Sequence, residues 1–283
     1  MKCSIGIFAY NEEKNIKTLI QSLLGQELDN VEIGEVLVFT DGSTDKTESI
    51  ARSFRDKRIR VFGGEKRLGK SEAINIFLRE SNHNILVMES GDTVPEKDAL
   101  EKIVLPLFKQ GIGMVGGRPV PKDGRIDFMG FTTNLIWDLH HRISLESPKM
   151  GEMVAFKKII SAIPKTAVDE AFIEYLIKKK GQKVVYEPEA VVYNKGAKTI
   201  SDYMRQRRRI HCGHLILKKE ASYNVSTTGN VLGLVVKIVE PNFKNILFAS
   251  GAIVLEGFAR ILGWWDFKRG KSHEIWDIAE TTK

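Results

Sequence analysis

The sequence predicts an α/β protein built on a parallel sheet with helices packed on both faces. Three observations lead there. Apolar runs of strand length alternate with amphipathic stretches through the first 110 residues. Three of those runs stop abruptly at polar residues, as SIGIFA does at Tyr10-Asn11-Glu12, EVLVFT at Asp41-Gly42-Ser43 and ILVMES at Gly91-Asp92. Finally, 42% of the 283 residues are hydrophobic, enough to bury one substantial core.

The elements follow in β-α order. Strands are expected at residues 4–9, 35–40, 59–62 and 85–89, and helices near 14–24, 45–54, 70–80 and 96–108. Alternation of this kind, with nearly continuous apolar strands, belongs to a sheet buried on both sides. After Gly111 the rhythm changes and a mixed half begins. GIGMVGGRPVP reads as a strand interrupted by glycines and closed by prolines. A helix over 169–180 ends in a lysine-rich turn before Gly181, KVVYEP and AVVYN read as two short strands, and a basic helix spans about 200–219.

From Gly229 the chain is at its most apolar. The stretch NILFASGAIVLEGFARILGWWDFKRGK approaches the length that spans a bilayer, but Glu256 and Arg260 lie inside it, spaced to pair on one helix face. A charged pair at the bilayer centre is costly, so this segment is expected to lie in a membrane interface or pack on the main domain. Trp264 and Trp265 followed by Lys268, Arg269 and Lys271 suit an interfacial anchor. The expected organisation is a domain over 1–225, with halves 1–110 and 111–225, and an apolar helical segment over 226–283.

The formal charge of +7 suits anionic ligands without choosing among them. Cys3 and Cys212 are too few for a disulfide framework, and MKCSIGIFAYNEE reads as a core strand without a signal peptide's cleavage region. A cytoplasmic protein is therefore expected, placed peripherally at the cytoplasmic membrane face. His211 and His214 lie three residues apart with no third clustered ligand, and His140 and His141 point to different faces, so no zinc site is expected. No G-x-G-x-x-G follows the first strand, and Leu68-Gly69-Lys70-Ser71 only weakly matches the end of a phosphate-binding P-loop.

In open parallel sheets ligands bind beyond the carboxyl ends of the strands, where the polar strand ends named above converge. AYNEEKNI, VFTDGSTDKT, KRLGKSEAIN, VMESGDTVP and RQRRRI, in that order, together resemble the motifs of a family-2 inverting glycosyltransferase with the GT-A fold. The resemblance covers roughly the first three quarters of the chain. It implies a Rossmann-like mixed sheet and transfer of a sugar from a nucleoside-diphosphate donor to a hydroxyl on a glycan or lipid-linked acceptor.

Carried over position by position, the resemblance sets Ala9, Tyr10 and Glu12 beside the base and ribose, with Asp41 accepting hydrogen bonds from the base. Arg67 and Lys70 fall near the diphosphate. Ser90-Gly91-Asp92 stands where the family has an aspartate-any-aspartate motif, so Asp92 is the expected ligand of Mg²⁺ or Mn²⁺ and serine replaces its first partner. Glu89 is off register. Glu170, preceded by Asp169, takes the place of the catalytic base, and Gln206 and Arg209 keep the spacing of a motif bordering the diphosphate, with Ile210 in place of its tryptophan. Trp137 and Asp138 are both candidates to line an acceptor pocket, with core packing the favoured role for Trp137. The sequence alternatives are a non-catalytic binding module of the same fold, a processive polysaccharide synthase, which lacks the long uncharged helices of an export channel, and a basic face formed by Arg205, Arg207 and Arg208. A nucleic acid partner is not expected, because no aromatics interleave with the arginines.

Overall fold

The structure, a computed structural model, describes residues 1–225, 231–275 and 281. Its first half follows the alternation of the sequence: β1 (Lys2–Phe8), α1 (Ile16–Leu24), β2 (Glu32–Phe39), α2 (Thr47–Arg52), β3 (Ile59–Phe62), α3 (Lys70–Glu80) and β4 (Ile85–Ser90). These four strands pair in parallel in the order β3-β2-β1-β4. One face of the sheet buries Ile5, Ile7, Val36, Val38 and Val87 against Leu19, Ile20 and Leu23 of α1; the other packs Phe8, Leu37, Phe39 and Met88 against Ile74 and Phe77 of α3. Side chains that alternate along a strand feed both cores when both faces are apolar, which is why the centres of these runs are almost wholly apolar; the buried exceptions Ser4 and Glu35 hydrogen-bond to each other.

Beyond β4 the helix expected over 96–108 is shorter. Pro95 does not open it; Val94–Pro95 forms a two-residue edge strand, β5, antiparallel to β8, and α4 (Ala99–Val104) begins after Asp98 before a 3₁₀ turn at Leu105–Phe108. β6 (Ile112–Pro121), α5 (Phe128–Glu146), β7 (Val154–Lys157), α6 (Asp169–Lys179), β8 (Lys183–Asn194) and α7 (Ile200–Ala221) complete the mixed half. β7 runs antiparallel to both β4 and β6, and so joins the two halves into one sheet of order β3-β2-β1-β4-β7-β6-β8-β5. The two short strands expected at KVVYEP and AVVYN are one strand. Its pairing with β6 jumps from Gly116↔Tyr186 to Arg118↔Val191, so Pro188 falls where the ladder needs no donor.

Two further helices, α8 (Val231–Ile238) and α9 (Phe243–Lys268), lie beside α5 and α7. The inward stripe of α9 is small or charged: Ala249, Ala252, Ala259, Gly263 and Asp266 are buried. A side chain at Gly263 would meet the Arg208 carbonyl at 2.6 Å, so glycine lets the two helix backbones approach. Its outward face carries the large apolar residues, with Phe243 84%, Val254 72% and Phe258 55% exposed. Among the described residues, α9 is the helix long and apolar enough to cross a membrane.

Candidate active site

The carboxyl ends of β1, β2 and β4 open into a cavity of about 470 Å³ that also reaches α5, α6, α7 and the residues after α9. At the end of β1, Ala9 donates its N–H to the Phe39 carbonyl at 2.9 Å, and the backbone then turns at Asn11. Glu12 is buried, its carboxylate accepts from the Asn15 amide at 2.6 Å, and its backbone N–H donates to the Thr47 hydroxyl oxygen at 2.7 Å. At the end of β2, Asp41 adopts φ +41, a left-handed conformation that aspartate tolerates when its side chain is anchored. The anchor is the next loop: the Asp41 carboxylate accepts from Leu68 N at 2.7 Å and Gly69 N at 3.1 Å. Burial raises the Asp41 pKa despite those donors. Arg67 lies over the Tyr10 ring at 3.9 Å, so the two side chains form a single wall.

β4 supplies Ser90, Gly91 and Asp92. Gly91 donates to the Phe8 carbonyl at 2.9 Å, and a side chain there would meet Glu12 Cγ at 2.8 Å and Ala9 Cβ at 2.9 Å. Glycine at this position is therefore a packing requirement. Asp92 lines the cavity and caps no helix, since α4 starts at Ala99 with Asp98 at its N-cap. Glu89 turns into the protein, where its Oε2 accepts from the Thr93 hydroxyl at 2.7 Å, and burial pushes its pKa up to about 8.

Lys70, the first residue of α3, reaches Glu170 Oε1 at 2.5 Å and lies 3.8 Å from Asp169 Oδ2. The ammonium expected beside a diphosphate thus spans the two acids that open α6. Of that pair, Glu170 faces the cavity, whereas Asp169 is fully buried and accepts from the Ser71 hydroxyl at 3.0 Å. Burial pushes the Asp169 pKa up to about 6. Glu170 is held below the usual carboxylate range: burial opposes its charge, and the neighbouring Lys70 outweighs burial.

From α7, Gln206 and Arg209 line the cavity, and Arg209 also donates to the Ala167 carbonyl at 3.3 Å. The other arginines of the run form ion pairs, Arg207 and Arg208 across to α9 and the half-exposed Arg205 within α7. Arg207 holds Glu256 of α9 through two bonds of 2.8 Å, Arg208 forks onto Asp266, and Arg205 lies 3.8 Å from Asp202. The Arg207 and Arg208 contacts fasten α9 to α7, so of these three arginines Arg205 is the one left exposed. Trp137 lines the cavity, with its ring edge toward His140, while Asp138 is drawn away to Arg125. Cys212 is buried and donates to the Lys271 carbonyl, so it takes no part in a metal cluster with His211 and His214.

Two cavity residues were not anticipated. Glu152 precedes β7; its carboxylate accepts from the Asn194 amide at 3.4 Å, and burial, reinforced by Asp92 and Glu170, pushes its pKa up to about 7. The antiparallel β4–β7 ladder explains its place. Continued two residues past Met88↔Val154, the register sets Glu152 opposite Ser90, where a carboxylate was missing from the strand itself. The second is Lys149, in the loop after α5. Asp92 and Glu152 form a hard oxygen donor set that suits a divalent cation whose other ligands come from a diphosphate. Among the described residues no cluster of three or more His, Cys, Asp or Glu is arranged to hold a metal by protein ligands alone.

Comparison with known proteins agrees with this geometry. Residues 4–168 match the family described as "Glycosyl transferase family 2". Glycosyltransferase AglE of Haloferax volcanii is 31% identical over 116 residues, covering 40% of this chain and 38% of that protein. An uncharacterized glycosyltransferase of Haemophilus influenzae is 33% identical over 108 residues, covering 38% and 32%. The match thus spans about a third of these relatives' length. Among solved structures, a mannosyltransferase of Pyrobaculum calidifontis in complex with GDP-mannose and Mn²⁺ superposes with a TM-score of 0.67 at 20% identity, covering 95% of this chain and 88% of that one. Glucosyl-3-phosphoglycerate synthase of Mycobacterium tuberculosis, in complex with Mn²⁺, UDP and phosphoglyceric acid, superposes at 0.54 and 21%, covering 77% and 78%. The fold is therefore GT-A, as the motif order implied.

Proposed function

Because the chain belongs to glycosyl transferase family 2, we propose that it is an inverting enzyme that moves a sugar from a nucleoside-diphosphate donor to a hydroxyl of a glycan or lipid-linked acceptor. The observation that carries this reading is the convergence of Asp41, Lys70, Asp92, Glu170 and Arg209, drawn from five separate segments, on one cavity. In the proposed arrangement Ala9, Tyr10 and Glu12 border the base and ribose, and Asp41 accepts from the base. Arg67, Ser90, Gln206 and Arg209 surround the rest of the donor.

Glu170 is assigned as the base because it is the acid of the pair that faces the cavity. Its carboxylate takes the proton from the acceptor hydroxyl as the oxygen attacks the anomeric carbon, and the bond to the diphosphate breaks with its electrons leaving on the diphosphate. Asp169 stands behind it and shares Lys70. Asp92, with Glu152 beside it, would hold Mg²⁺ or Mn²⁺, which supplies charge stabilisation for the departing diphosphate. A thermal-shift screen of nucleoside diphosphates with either cation tests the donor, since a ligand of the native state raises its melting temperature. E170Q and D169N test the base; wild-type rates of transfer and of donor hydrolysis in both variants would rule that assignment out.

We assign residues 1–225 to this chemistry and 226–283 to placement of the enzyme at a membrane surface, on the cytoplasmic side. The support is the inverted pattern of α9, whose large apolar residues face outward while Glu256 and Asp266 are clamped to α7. Arg269 over Trp265 at 4.7 Å and Lys268 over Trp264 at 5.5 Å give one end an interfacial character. The clamped carboxylates favour a helix lying in the interface over one spanning the bilayer. Failure of the full-length protein to float with anionic vesicles at low salt would refute this placement.

A further inference from the structure

The acceptor half of the cavity carries a charge imbalance that glycosyl transfer alone does not call for. Lys149, Arg207 and Arg260 surround Glu256. That carboxylate is already saturated: Arg207 donates to both its oxygens at 2.8 Å, Arg260 Nε donates at 2.8 Å and the Tyr203 hydroxyl at 3.0 Å. Glu174, the other acid near Lys149, accepts from Lys178 at 2.7 Å and from the Tyr223 hydroxyl at 2.6 Å, both on Oε1, and its buried Oε2 has no hydrogen-bond partner among the described residues. No acceptor among the described residues lies within hydrogen-bonding reach of the Lys149 ammonium. Burial, with Arg207 and Arg260 adding repulsion, pushes its pKa down to about 8, and His214 beside it is neutral at pH 7 for the same causes. A half-buried cation kept without a counter-ion costs stability unless an anion arrives to pair with it.

We propose that Lys149, with His214 as a neutral donor, binds a phosphate group carried by the acceptor, so that the acceptor is a phosphorylated alcohol rather than a neutral glycan. This rests on the glycosyl-transfer reading for the same cavity. Ile136, Leu139 and Ile143 of α5, with Val231 of α8, add an apolar lining to the same cavity. That lining suits an acceptor phosphate attached to a hydrocarbon chain, while a soluble phosphorylated acceptor would use the cation and leave the wall uncovered.

The test titrates full-length wild type and K149M with decyl phosphate, decanol and inorganic phosphate. Decyl phosphate should bind wild type at least tenfold more tightly than decanol, and K149M should lose roughly ten- to a hundredfold in that affinity, the range of a charge-assisted hydrogen bond. Inorganic phosphate displacing decyl phosphate at similar concentration assigns a soluble phosphorylated acceptor; displacement only by the alkyl compound assigns a lipid-linked one. Equal binding of decanol and decyl phosphate, or unchanged binding by K149M, would overturn the proposal. Removing an unpaired buried charge should also raise the melting temperature of K149M, and a fall would show that Lys149 has a structural partner and overturn it too. If no nucleoside diphosphate raises the wild-type melting temperature, the transfer reading fails separately, and phosphate binding is still decided by K149M.

Discussion

Replacing Lys70 by methionine separates two roles for this buried ammonium. One is to hold a donor diphosphate; the other is to keep Glu170 ionised. At 2.5 Å from Glu170 Oε1, two unit charges at an effective dielectric near 20 attract by roughly 6–7 kcal/mol before desolvation is counted. Burial offsets most of that, and a neighbouring cation typically moves a carboxylate by about 1–3 pKa units, or roughly 1.4–4 kcal/mol. Glu170 is now held below the ordinary range by Lys70, and Asp169 at about 6 also feels its attraction. In K70M both lose that support. The acid limb of kcat/KM should move to higher pH by about 1–3 units, since a base must be ionised to work and its pKa has risen. Methionine fills the same space, so the fold should survive. The assay is the pH profile of sugar transfer for wild type and K70M. A lower rate with an unmoved acid limb would refute the coupling and leave Lys70 acting on the donor alone. The wild-type limb is itself informative: near pH 6 it points to Asp169, and below 4.5 to Glu170.

E256Q removes the carboxylate that two arginines and a tyrosine share, leaving the buried Arg207 without its partner. Breaking such a pair costs about 3–5 kcal/mol, so urea unfolding should show a loss near 3, and a loss below about 1 would mean that α9 is not fastened there. E89Q should stabilise. A carboxyl whose pKa is about 8 folded and 4.5 ordinarily favours the folded state at low pH and loses that contribution as pH rises from 4.5 to 8. The variant should therefore gain up to about 3 kcal/mol at pH 7 and nothing near pH 4; an equal gain at both would refute the protonation argument. G91A should cost about 1–3 kcal/mol and weaken nucleoside-diphosphate binding, because its methyl group would press on Ala9 and Glu12. Unchanged melting and binding would show that the cavity floor can yield.

Much of the site was legible because its parts are local. A strand that feeds two cores is apolar through its centre, and the polar residues that follow its carboxyl end lie at the sheet edge, as Tyr10, Asp41 and Asp92 do. The arginine run was less legible. Nothing near residues 205–209 in sequence announces that Arg207 and Arg208 have partners about fifty residues away on α9. For Trp137 and Asp138 residue type alone left core and pocket open; Trp137 lines the cavity, and Asp138 pairs with Arg125.

By itself, then, the sequence determined the strand–helix alternation, the sheet edge at which the cavity opens and the family, since period and motif order are properties of neighbouring residues. Tertiary structure decided which charges meet. The β4–β7 register set Glu152 opposite Ser90, the packing of α3 against α6 joined Lys70 to Glu170, and the close contact of α7 with α9 consumed two arginines while Lys149 makes no ion pair among the described residues. The reason is physical. Coulomb energy depends on separation and burial, and both are set only when segments distant in sequence pack together.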